Sequence, residues 1–148
     1  MNRKIGTRIR MAAPAALLAA ALAVSCGGGG GSSGGMIPPP SIQPTLASIQ
    51  ANVFTPSCAL SGCHAGASPQ QGMNLSTGLA FASIVDVASA EQPARKRVDP
   101  ADATGSYLFM KITGDPAITG ARMPFGRPAL SAEAITAIRD WIDAGAPK

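Results

Sequence analysis

Two cysteines and a histidine stand close together in the middle of the chain. Cys58 and Cys63 have four residues between them, and His64, the single histidine of the sequence, directly follows Cys63. Two thiols at short spacing can add to the two vinyl groups of one haem, and an adjacent imidazole can then reach the iron. Because the usual spacing is only two residues, the loop 59–62 must bulge away from the haem edge, which Gly62 and its small neighbours permit.

Other chemistries fit the same three residues. In an oxidising compartment Cys58 and Cys63 could form a disulfide, with His64 incidental, in a stapled binding module without haem. Closing so short a loop would contribute about 2 kcal/mol in the chain-entropy model. A copper(I) carrier with Cys/Cys/His ligands is also possible. A type 1 copper centre would require two histidines, and zinc would require a fourth ligand.

Three stretches of the chain resemble a known family. Thr55–Gly66 reads TPSCALSGCHAG, Ala121–Ser131 reads ARMPFGRPALS, and Ile138–Pro147 reads IRDWIDAGAP. In content and order they resemble the small bacterial c-type cytochrome domains called planctomycete-type cytochrome c. The resemblance spans 45–148 and implies an all-α, cytochrome c-like fold with short helices and long loops around one covalent haem c. It also implies a carrier of single electrons between other redox proteins, rather than an enzyme.

The resemblance implies a methionine on the far side of the iron from His64. Met123 is the candidate, because it lies in the long loop before the last helix, and a thioether is a soft ligand suited to haem iron. Met73, in a loop after His64, is its rival, whereas Met110 falls within a predicted helix and fits the core. If no methionine binds, an open sixth position would favour ligand-binding or peroxidase-like chemistry.

Secondary contacts to a haem can also be assigned from the residue types. Arg122 or Arg127 could pair with a haem propionate, because a buried carboxylate needs a charge-assisted partner. A solvated arginine is an equally good interpretation of either. Trp141 could lie on the haem, although packing against the first helix is the default for it.

The elements that must position these residues are helices. Apolar spacing and capping residues predict a helix from Thr45 that ends at Thr55-Pro56, with Leu46, Ile49 and Val53 inward. Three more helices are predicted over 76–85, 102–112 and 131–144, capped by Ser76 at the start of the first, Gly114 after the second, and Ser131 and Gly145 around the last. Leu79, Ile84 and Val85 should point inward. The segments 91–101 and 113–130 are predicted to be loops, the first of them exposed.

Composition limits the function. Arg3, Lys4, Arg8 and Arg10 account for the whole net charge of +4, so the remainder is balanced. Without a clustered basic face, nothing favours nucleic-acid binding. With one Trp, one Tyr and four Phe, the domain has few large side chains for a core. Small domains of this kind often need a staple or a cofactor.

The N-terminus has the pattern of an export signal. The basic start and the apolar run 11–24 are typical of a Sec signal peptide over 1–25 and too short to span a bilayer. The run ending in Ala23-Val24-Ser25-Cys26 resembles a bacterial lipobox, which implies lipidation of Cys26. Residues 26–44 then form a Gly/Pro-rich tether. Gly27 after the cysteine implies sorting to the outer membrane, on its periplasmic or cell-surface side, as a lipoprotein; an ordinary signal peptide is the alternative.

Overall fold

The computed structural model describes residues 41–148, which belong to one unit of the chain. This part is helix-rich and has no sheet, in agreement with the all-α prediction. The predicted signal peptide, Cys26 and most of the predicted tether lie outside the described residues. The helices are α1 (Leu46–Ile49), α2 (Ala80–Ile84), α3 (Tyr107–Thr113) and α4 (Ala132–Asp143), with a π-helical segment (Gln50–Cys58) and a 3-10 turn (Gln70–Gly72).

The first helix reaches further along the chain than predicted. Thr45 caps α1 as expected, since its side chain accepts from the Ser48 amide. The helix does not end at Thr55-Pro56 but continues as the π-helical segment to Cys58. The Ala59 amide donates to the Phe54 carbonyl at 2.7 Å, the i to i−5 pattern of a π-helix. Pro56 has no amide proton and so leaves one helical carbonyl without a donor. It is tolerated because that carbonyl belongs to an exposed residue and can bind water.

The two middle helices begin later than predicted. Gly78 has φ +82°, a left-handed conformation that interrupts the helix expected from Ser76, so α2 starts at Ala80. Leu79 is consequently 53% exposed, and its inward placement was wrong. Before α3, the Asp102 carboxylate accepts from the Gly105 amide at 2.8 Å, which makes a turn where the helix was expected to start.

The end of α3 and both ends of α4 agree with the predictions. Gly114 caps α3 in the left-handed conformation (φ 76°, ψ 39°). Ser131 caps α4 by accepting from the Ala134 amide, and Gly145 follows the cap residue with φ +92°. The segment between these helices carries neither helix nor strand, as expected of 113–130.

The segment 91–101 is not the exposed loop that its polarity predicted. Val98 is fully buried and forms an isolated bridge with Val85. A second bridge joins Ala88 and Lys96. The segment therefore lies against α2 and α3, because Val98 enters the core and brings its charged neighbours close to it.

The core lies where α1, the π-helical segment, α3 and α4 meet. α4 contacts both α1 and α3, and the Ile42 amide donates to the Glu133 carboxylate at 2.8 Å at one end of this contact. The core side chains with the least exposure are Ile49, Val53, Phe54, Ile84, Val98, Ile138, Trp141 and Ile142. None of the described helices is long and apolar enough to cross a membrane.

Candidate functional site

One cavity extends into this core, and most of the predicted site residues line it. The space between its walls, with the open solvent at its mouth included, amounts to about 700 Å³. Most of its wall is apolar, with Val53, Phe54, Leu75, Leu108, Ile112, Leu130 and Ile138. The predicted site residues on the wall are Cys58, His64, Met73 and Met123.

The loop between the two cysteines is closed by backbone hydrogen bonds. The His64 amide donates to the Cys58 carbonyl at 3.2 Å, and the Cys63 amide donates to the Leu60 carbonyl at 3.0 Å. Gly62 has φ +78°, so the bulge predicted for the four-residue spacing uses the glycine's left-handed conformation. The bulge places Cys58 and His64 side by side on the cavity wall despite the longer loop.

The two thiols have different surroundings. Cys58 is half-buried on the cavity wall, whereas Cys63 is exposed and is not among the lining residues. Neither is in a disulfide with the other. Burial, reinforced by the nearby Cys63, raises the pKa of Cys58 to about 11, against an opposing effect of the Arg127 charge. At neutral pH the Cys58 side chain is therefore a protonated thiol.

His64 is held in a form that suits metal binding. Its Nδ1 lies 3.2 Å from the Gln70 carbonyl oxygen. Because a carbonyl can only accept, this contact favours the tautomer with the proton on Nδ1 and the lone pair on Nε2. Burial lowers the pKa of His64 below 6.5, against hydrogen bonds with the Gln70 and Met73 backbone that raise it, so the imidazole is neutral at pH 7.

Both candidate thioethers reach the cavity wall. Met123 is fixed by its amide, which donates to the Lys111 carbonyl in α3 at 2.8 Å. Met73 follows the 3-10 turn and is partly buried against the core. Met110 is 4% exposed and is not among the lining residues, as expected of a core residue.

A polar cluster on the cavity wall was missed by the sequence analysis. Glu91 accepts from the Tyr107 hydroxyl at 2.8 Å and from Lys111 Nζ at 3.0 Å. Burial raises the pKa of Glu91, but these two hydrogen bonds outweigh it and leave the pKa below 4.5. Tyr107 and Lys111 are four apart on α3, so helical spacing could have placed them on one face. Glu91 stands alone in sequence and gave no signal.

Arg97 also lies on the cavity wall and was not predicted. Its guanidinium donates to the carbonyls of Gln71, Gly72 and Ser83 at 2.6–3.3 Å. Within 41–148 it forms no ion pair with a carboxylate. The sequence does not distinguish Arg97 from its neighbours Arg95 and Lys96. Arg97 lies on the cavity wall because the adjacent Val98 is buried in the core.

The residues predicted to make secondary contacts lie away from the cavity wall. The aliphatic part of Arg122 packs over Gly114, where an added Cβ would come within 2.9 Å of Arg122 Cδ. Arg127 lines a separate surface hollow beside the end of the π-helical segment. Trp141 is fully buried, and its Nε1 donates to the Pro147 carbonyl at 2.8 Å, which agrees with a packing role.

Among residues 41–148, no three His, Cys, Asp or Glu side chains cluster in a way that could hold a bare metal ion. No protein-family model, curated protein or solved structure matches the chain. The fold and the cavity therefore carry the functional argument.

Proposed function

We propose that residues 45–148 form a mono-haem c-type cytochrome domain that carries single electrons between extracytoplasmic redox proteins. The observation that carries this proposal is the meeting of Cys58, His64 and Met123 on the wall of one apolar cavity. Met123 is distant in sequence from Cys58 and His64, and each of the three has the chemistry that a covalently held haem needs.

The lining of the cavity fits such a group. An apolar wall suits the face of a porphyrin, and a neutral imidazole with a free Nε2 suits the iron. Each thiol would add across one vinyl group, the sulfur to one carbon and the hydrogen to the other, so that no atom is lost. Cys58 already lies on the wall, and the exposed Cys63 would attach at the rim.

Met123 is proposed as the sixth ligand, with Met73 as its rival. The bond from the Met123 amide to Lys111 ties the ligand loop to α3 on the cavity wall. Met73 is on the same wall but follows closely after His64 along the chain, which makes an approach from the opposite side of a flat group harder. Methionine with histidine raises the reduction potential relative to two nitrogen ligands.

Arg97 is the better candidate than Arg122 for pairing with a propionate. Among the lining residues, Lys111 is already neutralised by Glu91 at 3.0 Å, whereas Arg97 has only carbonyl partners within the described chain. A carboxylate brought to this wall would gain a charge-assisted hydrogen bond from the remaining guanidinium N–H groups.

Bound haem supplies one-electron exchange between Fe(II) and Fe(III). The chain's part would be to hold the iron through His64 and Met123, to exclude water with the apolar wall, and to meet a partner in a brief, small interface. We propose that the domain reaches its partners from a lipidated Cys26 through the tether 26–44, at the periplasmic or outer face of the outer membrane.

A redox titration of the purified protein tests this function. The chain, produced with an export signal in a host that matures c-type cytochromes, should give a low-spin spectrum and titrate as one centre with a one-electron slope. His64→Ala should abolish that spectrum, while Arg139→Ala, at an exposed ion pair on α4, should leave it intact. A purified wild-type protein without a haem absorbance would contradict the proposal.

A further inference from the structure

We infer that Arg97 is a positioning residue for His64. It holds the turn 70–72 whose carbonyl accepts the imidazole proton, so that Nε2 is the nitrogen available to a metal. The inference rests on the proposed function for its consequence at the iron, but the hydrogen-bond chain itself is a property of the protein alone.

The turn 70–72 has an unfavourable backbone that needs support. Gln71 has φ 55° and ψ 23°, a left-handed conformation that costs free energy for a residue with a Cβ, and Gly72 follows with φ 60°. The carbonyls of these two consecutive residues both accept from Arg97, from Nη2 at 2.6 Å and from Nη1 at 3.3 Å. Hydrogen bonds from an ionised donor are the stronger kind, so they stabilise this strained turn.

Arg97 is anchored independently of the turn. Its Nη1 also donates to the Ser83 carbonyl in α2 at 2.7 Å. Its amide donates to the Val87 carbonyl at 2.7 Å, and its carbonyl accepts from the Leu108 amide in α3 at 2.9 Å. The guanidinium is thus held by α2 and the Arg97 backbone by α3, so the residue links both helices to the turn.

The turn 70–72 also holds the imidazole of His64. Gln70 accepts from His64 Nδ1 at 3.2 Å, and its amide donates to the Cys63 carbonyl at 2.8 Å. On the other side of the turn, the Leu75 amide donates to the His64 carbonyl at 2.7 Å. Gln70 directly precedes the residue that Arg97 holds most closely, so a displacement of Gln71 moves the carbonyl that orients His64.

A second contact to a ligating histidine sets its tautomer, its ring orientation and its strength as a donor. Weakening the bond from Nδ1 should therefore make His64 a poorer donor to iron. A poorer donor stabilises Fe(III) less, so the reduction potential should rise. A residue with a merely structural role would lower stability without changing the imidazole.

Arg97→Lys tests the inference, because lysine keeps the charge but cannot bridge three carbonyls. In the purified, haem-loaded protein we expect a higher reduction potential and loss of the slowly exchanging Nδ1 proton of His64 in NMR spectra of the reduced state. Arg139→Lys, at an exposed pair on α4, is the matched control and should change neither. An unchanged Nδ1 resonance and potential in Arg97→Lys would overturn the inference.

A rescue separates positioning from pairing with a propionate. Glycine adopts the left-handed conformation without strain, so Gln71→Gly added to Arg97→Lys should restore the Nδ1 resonance and the potential. A double variant that stays like Arg97→Lys would overturn the positioning role. If Arg97→Lys does not fold, NMR of the wild type decides instead, since the Arg97 guanidinium protons should exchange slowly and show contacts to Gln71 and Gly72.

A negative result for the positioning role can be told apart from a negative result for the proposed function. If the wild-type protein carries no haem, the electron-carrier proposal fails, yet imidazole ¹⁵N shifts still report whether Nδ1 holds the proton and whether Arg97→Lys changes that. If haem is present and the ¹⁵N shifts ignore Arg97, only the positioning role fails.

Discussion

The amide of His64 donates to the carbonyl of Cys58 at 3.2 Å, across a loop that is longer than usual for haem attachment. This bond brings the backbone of Cys58 next to that of His64 at the two ends of the loop. The additional residues are accommodated in the bulge 59–62, with Gly62 in the left-handed conformation at φ +78°. Cys63, which directly precedes His64, is exposed, whereas Cys58 at the other end of the loop is half-buried.

The first prediction concerns the sixth ligand. Met123→Ala should open the iron, so that the protein turns partly high-spin, binds carbon monoxide and loses reduction potential, because a thioether stabilises Fe(II). Visible spectra and a potentiometric titration measure this. Met110→Ala, in the core, should change only stability. If Met73→Ala produces the spectral change and Met123→Ala does not, the ligand is Met73.

The second prediction concerns pH. Glu91 has a pKa below its ordinary value of 4.5 in the folded protein, so its contribution to stability is present above about pH 4.5 and is lost as the pH falls through the folded pKa. Glu91→Gln should cost about 1–3 kcal/mol at pH 7, because Lys111 and Tyr107 lose a charged acceptor. The cost should shrink towards pH 3 in urea unfolding. Asp140→Asn, at an exposed pair, is the control, and an equal cost at both pH values would contradict the role of Glu91.

The third prediction couples the cofactor to folding. Residues such as Phe54, Leu108 and Ile138 belong both to the core and to the cavity wall, so emptying the cavity exposes the core to water. The double change Cys58→Ala/Cys63→Ala should lower the free energy of unfolding by about 4 kcal/mol or more, by loss of a tightly bound group. Ser61→Ala, in the loop between them, should leave it within about 0.5 kcal/mol. Equal stability of the double variant and the parent would contradict this coupling.

The fourth prediction concerns the anchor. Cys26→Ser should release the domain from the membrane fraction without changing its absorbance, because the tether separates Cys26 from the cavity. Fractionation followed by spectroscopy measures both. Mass spectrometry of the wild-type N-terminus should find a diacylglycerol on Cys26, and an unmodified N-terminus between residues 23 and 30 would contradict lipidation.

The sequence predicts the helices where local chemistry decides them. Thr45, Ser131 and Gly114 act through neighbouring backbone groups, so their roles can be read from residue type and position. The late start of α2 depends on Gly78, a glycine that could equally have been tolerated within a helix. The π-helical continuation across Pro56 depends on tertiary packing around Phe54, which no local rule reports.

The candidate site likewise contains residues that the sequence identifies and residues that only the folded structure identifies. Cys58 and His64 could be singled out by residue type and spacing, and Met73 and Met123 by residue type together with their places in predicted loops. Glu91 and Arg97 have ordinary side chains whose roles arise from the burial of Val98 and from the face of α3. A charged segment is usually solvated, so only the folded arrangement shows that this one lies against the cavity.

Covalent attachment of haem at Cys58 and Cys63 is the most direct question to put to the protein. The decisive measurement is the pyridine haemochrome spectrum of the purified wild-type protein, taken after extraction with acid acetone. We predict that all the haem stays with the polypeptide and that its reduced band is that of a haem with both vinyl groups saturated, with one haem per chain. Complete loss of haem into the acetone, or a protein with no haem at all, would contradict it.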